Sequence, residues 1–318
     1  MKNKGYLLKF WQIIICISFI ISLNATAALA NSKLEIFVSI MPQKFFVEQI
    51  GKELVDVHVM VEPGASPHTY EPKPQQMVAL SKTKIYFAIG LPFEKVWLDK
   101  LSASNKEMLI VNTDDGIEKI YMQAEHHHHD EESKEAHKEH HHDHQADIEN
   151  KEMEKKGEPD PHIWLSPKLV AIQAGHILNG LKRVDPASAS IYEENYNKFI
   201  SEINKLDEEI NSIFANKKGV QFMVFHPSWG YFAKDYNLKE IPIEVQGKNP
   251  KPAQLQEIIK HAKEHKISII FAQPQFSTKS AKQIAKEING EVLFADPLEY
   301  DWFKNLYKVA DRFKAALK

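Results

Sequence analysis

The sequence predicts an α/β fold of two lobes, each built on a parallel sheet, joined by one long helix. Three observations carry that expectation. Short apolar runs alternate with helical patterns from Lys33 to Val111 and again after Gly219, as parallel strands with helical crossovers do. Between the two halves lies the most regular apolar stripe in the chain. Tyr192, Tyr196, Phe199, Ile203, Leu206, Ile210 and Ile213 recur at spacings of three and four, marking one buried face of a single helix. Finally, residues 122–158 break the alternation: nine histidines (126–129, 137, 140–142 and 144) stand there among charged residues, with almost no apolar ones.

The elements follow in order. Leu34–Ile40 is strand-like, and Pro42 opens a helix in its first turn, where a missing N–H costs nothing. Val55, Val57, Val59 and Val61 alternate with Asp56, His58 and Met60, the pattern of a half-buried strand. Lys84–Ile89 and Met108–Val111 read as further strands, with helices over Pro74–Ser81 and Pro92–Leu101. The histidine-rich stretch buries too little apolar surface to offset its ordering entropy, so a disordered loop is expected. Ser166–Val184 reads as a helix, and Asp185-Pro186 restarts the chain with a cap and a first-turn proline. The helix carrying the stripe runs to about Ala215, and roughly 30 residues at 1.5 Å each make it about 45 Å long. Beyond it come strands at Gln221–Phe225, Ser268–Ala272 and Glu291–Phe294, with helices at Leu255–Glu264, Ser280–Asn289 and from about Leu298.

The first thirty residues read as a secretory signal. Lys2, Lys4 and Lys9 precede an apolar run from Trp11 to Leu23, and Ala28-Leu29-Ala30 supplies the small residues of a cleavage site. The run is shorter than the roughly 20 residues that span a bilayer. Cys16, the only cysteine, lies inside it after Ile15, which is not the setting of a lipoprotein cysteine. The domain plan expected is therefore a signal at 1–30, an N-terminal lobe at 31–184 and a linking helix at 185–216. A C-terminal lobe at 217–318 completes it. A mature chain without cysteine has no disulfide, and any metal chemistry falls to His, Asp and Glu.

Charge excludes one class of partner. The whole chain carries −3, and the stretch 125–158 holds twelve acidic and five basic residues. The rest of the mature chain is close to neutral, without the basic excess that nucleic acid requires.

Four segments place a candidate ligand after a strand or in a loop. They are Pro63-Gly64-Ala65-Ser66-Pro67-His68-Thr69-Tyr70, Asp160-Pro161-His162-Ile163-Trp164-Leu165, Phe225-His226-Pro227-Ser228-Trp229-Gly230-Tyr231 and Phe294-Ala295-Asp296-Pro297-Leu298. Ligands of doubly wound lobes sit beyond the carboxyl ends of the strands. Two segments come from each lobe, so a cleft between lobes is able to collect all four. Each residue also has a plainer reading: a lone histidine at a strand end is often a hydrogen-bonding residue. Asp160 and Asp296, each followed by Pro, suit turns or helix caps.

The order of these segments, with the long middle helix and the acidic histidine tract, resembles the cluster A-I substrate-binding proteins of zinc and manganese ABC transporters, the ZnuA-like group. The motifs Pro-Gly-Ala-Ser-Pro-His, Tyr-Glu-Pro and Asp-Pro-His-Ile-Trp-Leu carry the resemblance, which extends over essentially the whole mature chain. It implies two four-stranded (β/α) lobes on a rigid backbone helix, with His68, His162 and His226 as metal ligands and Asp296 as the fourth. It also implies a periplasmic monomer that hands its ion to a permease driven by an ATPase. Imidazole suits zinc, whereas manganese prefers more carboxylate, and manganese members of the group typically have Glu where this chain has His226. Zn²⁺ is thus the expected cargo, ahead of Mn²⁺ and Ni²⁺. Two positions depart from the group's pattern: Pro67 stands where some zinc members have Glu, and Gln273 where many relatives have Glu. The histidine tract is expected to bind metal loosely. The rival readings are a zinc hydrolase, which needs an open coordination position, and a metal-dependent adhesin or storage protein of the same fold. No HExxH helix, nucleophile elbow or phosphate loop supports an enzyme.

Overall fold

A computed structural model describes residues 33–122, 158–217, 219–245 and 247–316. The expected signal sequence with Cys16, and nearly all of the histidine-rich stretch, lie outside the described residues.

The first sheet is formed by β1 (Leu34–Val38), β2 (Val55–Val59), β3 (Ile85–Ala88) and β4 (Leu109–Asn112), in the order β2-β1-β3-β4. The second is formed by β5 (Gln221–Val224), β6 (Lys239–Pro242), β7 (Ile269–Ala272) and β8 (Glu291–Phe294), in the corresponding order β6-β5-β7-β8. Every pairing is parallel. The crossover helices α1 (Met41–Gly51), α2 (Pro74–Leu80) and α3 (Pro92–Ser104) serve the first sheet, followed by α4 (Pro167–Val184). All four begin with proline in the first turn, where its fixed φ suits the helix and its absent N–H is not needed. The Ser166 side chain caps α4 by accepting from Leu169 N.

The apolar stripe becomes α5 (Ala189–Phe214), a helix of 26 residues entered through a 3₁₀ turn at Pro186–Ser188. At 1.5 Å per residue it is about 39 Å long. Tyr192, Phe199, Ile203, Leu206 and Ile210 on it are buried, while the lysines and glutamates between them face water. The second sheet adds α6 (Gly230–Asp235), α7 (Pro252–Glu264) and α8 (Lys279–Ile288), and α9 (Trp302–Ala316) closes the described chain.

Two elements escape the sequence reading. The strand β6 and the short helix α6 fall in a stretch with no clean periodicity, and β6 ends on Pro242, as an edge strand tolerates. The closing helix also starts at Trp302 and not near Leu298, because the chain turns at Pro297 and Leu298 and bends at Tyr300 first.

The apolar core is continuous across the sheets. Ile36, Ile85 and Phe46 of the first sheet and its helices belong to the same buried cluster as Phe222 and Phe271 of the second. The helix α9 bridges them: Trp302 meets Phe46 at 5.3 Å, and Phe313 meets Phe214 at 5.5 Å and Phe222 at 4.8 Å. A smaller cluster around Met223, Ile259, Ile270 and Ile284 holds α7 and α8 to the outer face of the second sheet.

Candidate metal site

Three of the four predicted residues converge. His68 follows β2 through a loop whose Gly64 has φ of +82°, a conformation suited to glycine. Val61 N donates to Ser39 O, prolonging the sheet pairing before that loop departs. His226 extends directly from β5. Its backbone N–H donates to Gln273 Oε1 at 2.9 Å, and Gln273 Nε2 donates back to His226 O at 2.7 Å. The Gln273 side chain, noted in the sequence as a departure from the family pattern, thus clamps the backbone of the His226 loop. His162 precedes a 3₁₀ turn, and its backbone N–H donates to Asp160 Oδ1 at 2.8 Å.

The candidate ligand atoms of His68, His162 and His226 all lie within 4.8 Å of one another. The ring centroids are separated by 4.7 to 5.4 Å. Two of the rings are backed by carboxylates: His162 Nδ1 lies 2.7 Å from Asp160 Oδ1, and His226 Nδ1 lies 2.7 Å from Glu244 Oε1. A carboxylate accepts only, so each Nδ1 carries the proton and each Nε2 keeps its lone pair for a cation. His226 Nε2 sits 3.0 Å from His68 Nε2, which makes His68 the donor of that contact. In a tetrahedral zinc site with Zn–N bonds of about 2.0–2.1 Å, neighbouring nitrogens are about 3.3 Å apart, so a small opening admits an ion.

Burial disfavours the charged form of His68 and His162. His68 is lowered to about 3, chiefly by loss of water and then by repulsion from His162 and His226. His162 is also lowered by burial, although Asp160 pulls in the other direction. The rings line a pocket of about 20 Å³ together with Pro67, Trp164, Phe276 and Leu298, room for about one water-sized particle. Trp164 therefore serves as cavity wall and as core, whereas Trp229 is core only.

Asp296 stands outside this group. Its Oδ1 accepts from Leu298 N at 2.9 Å and from Gln275 Nε2 at 2.8 Å. It borders a neighbouring cavity of about 190 Å³ together with Glu62, Gln275 and Glu299. In this arrangement its Oδ1 acts as a turn acceptor. The sequence also missed Glu244, whose only signal is a lone acid between Ile243 and Val245.

The remaining histidines form no comparable pocket among the described residues. Glu35, Asp56 and His58 come within 4.8 Å of one another on an edge of the first sheet. Their side chains are half-exposed, and a His58–Glu35 contact of 2.8 Å accounts for the pairing. His176 contacts Asp115 O, and the tilted rings of His261 and His265 lie 4.3 Å apart at the C-terminal end of α7.

The family model described as "Zinc-uptake complex component A periplasmic" matches residues 36–316. The chain belongs to this family. Among curated relatives, the high-affinity zinc uptake system protein ZnuA of Bacillus subtilis (strain 168) is 27% identical over 282 residues, 87% of this chain and 82% of its own. A crystal structure of ZnuA is 41% identical, with a TM-score of 0.77 over 90% of this chain and all of that one. A mutant, Mn-bound periplasmic metal-binding protein from Candidatus Liberibacter asiaticus has a TM-score of 0.68 at 22% identity. That likeness covers 88% of this chain and 99% of the other, and it shows the shared fold. The protein is thus a metal-binding, extracytoplasmic substrate-binding component of ABC-type metal uptake, and not an enzyme. Among the described residues, no helix is long and apolar enough to cross a membrane.

Proposed function

We propose that this protein captures Zn²⁺ in the periplasm through His68, His162 and His226 and delivers it to the permease and ATPase of an ABC importer. The observation that carries the reading is the convergence of three imidazoles, two of them backed by carboxylates, on a cavity of about 20 Å³. That space is of the size of a single ion. Zinc is favoured over manganese because the donors that converge are nitrogen atoms, with both nearby carboxylates turned to Nδ1 protons. Asp296, the fourth ligand expected from the sequence, borders the neighbouring cavity, where its Oδ1 accepts from Leu298 N and Gln275 Nε2.

The organisation proposed is a signal at 1–30, lobes at 31–184 and 217–318, and the linking helix at 185–216. The mature protein acts as a soluble monomer without a lipid anchor, since Cys16 lies within the apolar run of the signal. The mass of the exported protein, cut after Ala30 and unacylated, checks this point.

The deciding experiment is metal analysis of untagged protein with and without residues 123–157. One tightly held zinc per chain in the shortened form supports the reading. Manganese retained in its place would overturn the choice of metal, and zinc surviving alanine at all three histidines would overturn the site.

A further inference from the structure

A second set of metal-ligating groups lies on the edge of the first sheet. The parallel register of β1 and β2 sets Glu35 beside Asp56 and Phe37 beside His58, and alternation along the strands turns Glu35, Asp56 and His58 to one face. Val55 and Val57 point the other way, into the core. One ligand atom from each of Glu35, Asp56 and His58 lies within 4.8 Å of the other two. Phe37 stacks on the His58 ring with centroids 5.2 Å apart, which limits where that ring can turn. The charges in the cluster are not balanced. His58 Nε2 meets Glu35 Oε2 at 2.8 Å, but among the described residues the Asp56 side chain has no hydrogen bond or ion pair, and neither carboxylate meets a lysine or arginine side chain. Like charges set opposite each other on adjacent strands are destabilising. A charged edge strand discourages pairing with another chain, yet that purpose does not call for two acids side by side within reach of an imidazole.

We propose that Glu35, Asp56 and His58 form a second divalent-cation site, separate from the three histidines and independent of how those are read. A cation there offsets the repulsion between the carboxylates and gives Asp56 the partner it lacks. The site differs from the histidine pocket in two respects. Its donors are two oxygens and one nitrogen, so it suits Mn²⁺ better than three nitrogens do while still accepting Zn²⁺. It is also open: the His58 and Glu35 side chains are 40% and 43% exposed, so water fills the remaining positions and the ion exchanges readily. Glu35 and Asp56 are each second in their strands, whereas His68 follows the carboxyl end of β2, so the two sites share no residue.

Mn²⁺ is the probe, added to the full mature chain after zinc has been supplied to the histidine pocket. Backbone amide NMR is the readout, because it assigns the effect of a paramagnetic ion residue by residue. Mn²⁺ at a small fraction of the protein concentration should broaden the amide signals of Glu35, Asp56 and His58 ahead of those elsewhere in the two sheets. Asp56→Asn and His58→Gln each remove one donor from an exposed or half-exposed position, so the other amide signals should keep their places and report an intact fold. Each variant should raise the Mn²⁺ concentration needed for half-broadening by more than about ten-fold, the loss typical of a residue that only orients a ligand. Broadening no stronger at these three residues than at other surface acids would mean an ion loosely drawn to negative charge, and would overturn the proposal. Equal broadening in wild type and both variants would overturn it as well.

Discussion

His68 shows how burial prepares an imidazole for a cation. Removed from water and facing two other imidazoles, it stays neutral to about pH 3, so protons compete weakly for its lone pair in mildly acidic surroundings. The linkage has a definite sign. The unfolded chain binds the His68 proton near pH 6.5 and the folded chain only near about 3. Between those values the unfolded state holds more protons, and stability falls as pH drops. Melting midpoints of the metal-free protein should therefore decline from about pH 6.5 toward about 4, and His68→Ala should make that slope shallower. An unchanged slope would show that His68 is protonated like a surface imidazole. The carboxylate behind His226 has a separate consequence. Glu244→Ala removes the acceptor that fixes the ring's tautomer and should weaken zinc about 10- to 100-fold, with the stoichiometry still one per chain, as competition with a chromophoric chelator would measure. The histidines were legible in the sequence because each sits in a recognisable local motif. Glu244 and Gln275 were not, since their partners, His226 and Asp296, lie 18 and 21 residues away and only the folded loops bring them together.

Among the elements, α5 was the most legible, because its stripe repeats over about seven turns and every buried position on it is apolar or aromatic. The strand β6 was the least legible. Two charged residues and a terminal proline in Lys239–Pro242 carry no alternation, and its place is set by pairing with β5 on one side only. The first-sheet strands were read from their own patterning, but the close seating of α4 was not. At Gly180 on α4, an added Cβ would lie 2.8 Å from Ile85 Cδ1 and 2.8 Å from Phe87 Cε1, both on buried β3 side chains. Alanine is the better helix former by about 1 kcal/mol, yet overpacking a tight core costs about 1–3 kcal/mol. Where neither neighbour has room to yield, the loss wins. Gly180→Ala should thus lower the melting midpoint by about 2–4 °C, whereas at Gly175, where the nearest atom is Tyr196 Oη at 3.9 Å, alanine should not destabilise. A rise at both positions would show that α4 can back away from the sheet.

For the whole molecule, the question is how far two sheets can move apart when the ion leaves. Hinged binding proteins open widely when flexible strands are the principal connection between lobes. Here α5 spans the molecule, and the aromatic contacts of α9 tie both halves to it: Phe303 meets Phe45 at 5.7 Å and Phe199 at 5.8 Å, while Phe313 meets Phe214 at 5.5 Å. Indole N–H groups add polar stitches. Trp164 Nε1 donates to Pro297 O at 2.7 Å, and Trp302 Nε1 donates to Trp164 O at 2.6 Å. Separating the halves would strip water-free aromatic surface and leave those donors unmet, a cost that a single ion's departure need not impose. The motion expected on metal release is then confined to the loops carrying His68 and His226. Small-angle scattering of zinc-loaded and zinc-free protein should therefore give nearly the same radius of gyration, and thermal unfolding of the zinc-free protein should show one cooperative transition. A wide closure on zinc binding, or two separate transitions, would mean that the shared core does not couple the lobes as its packing implies.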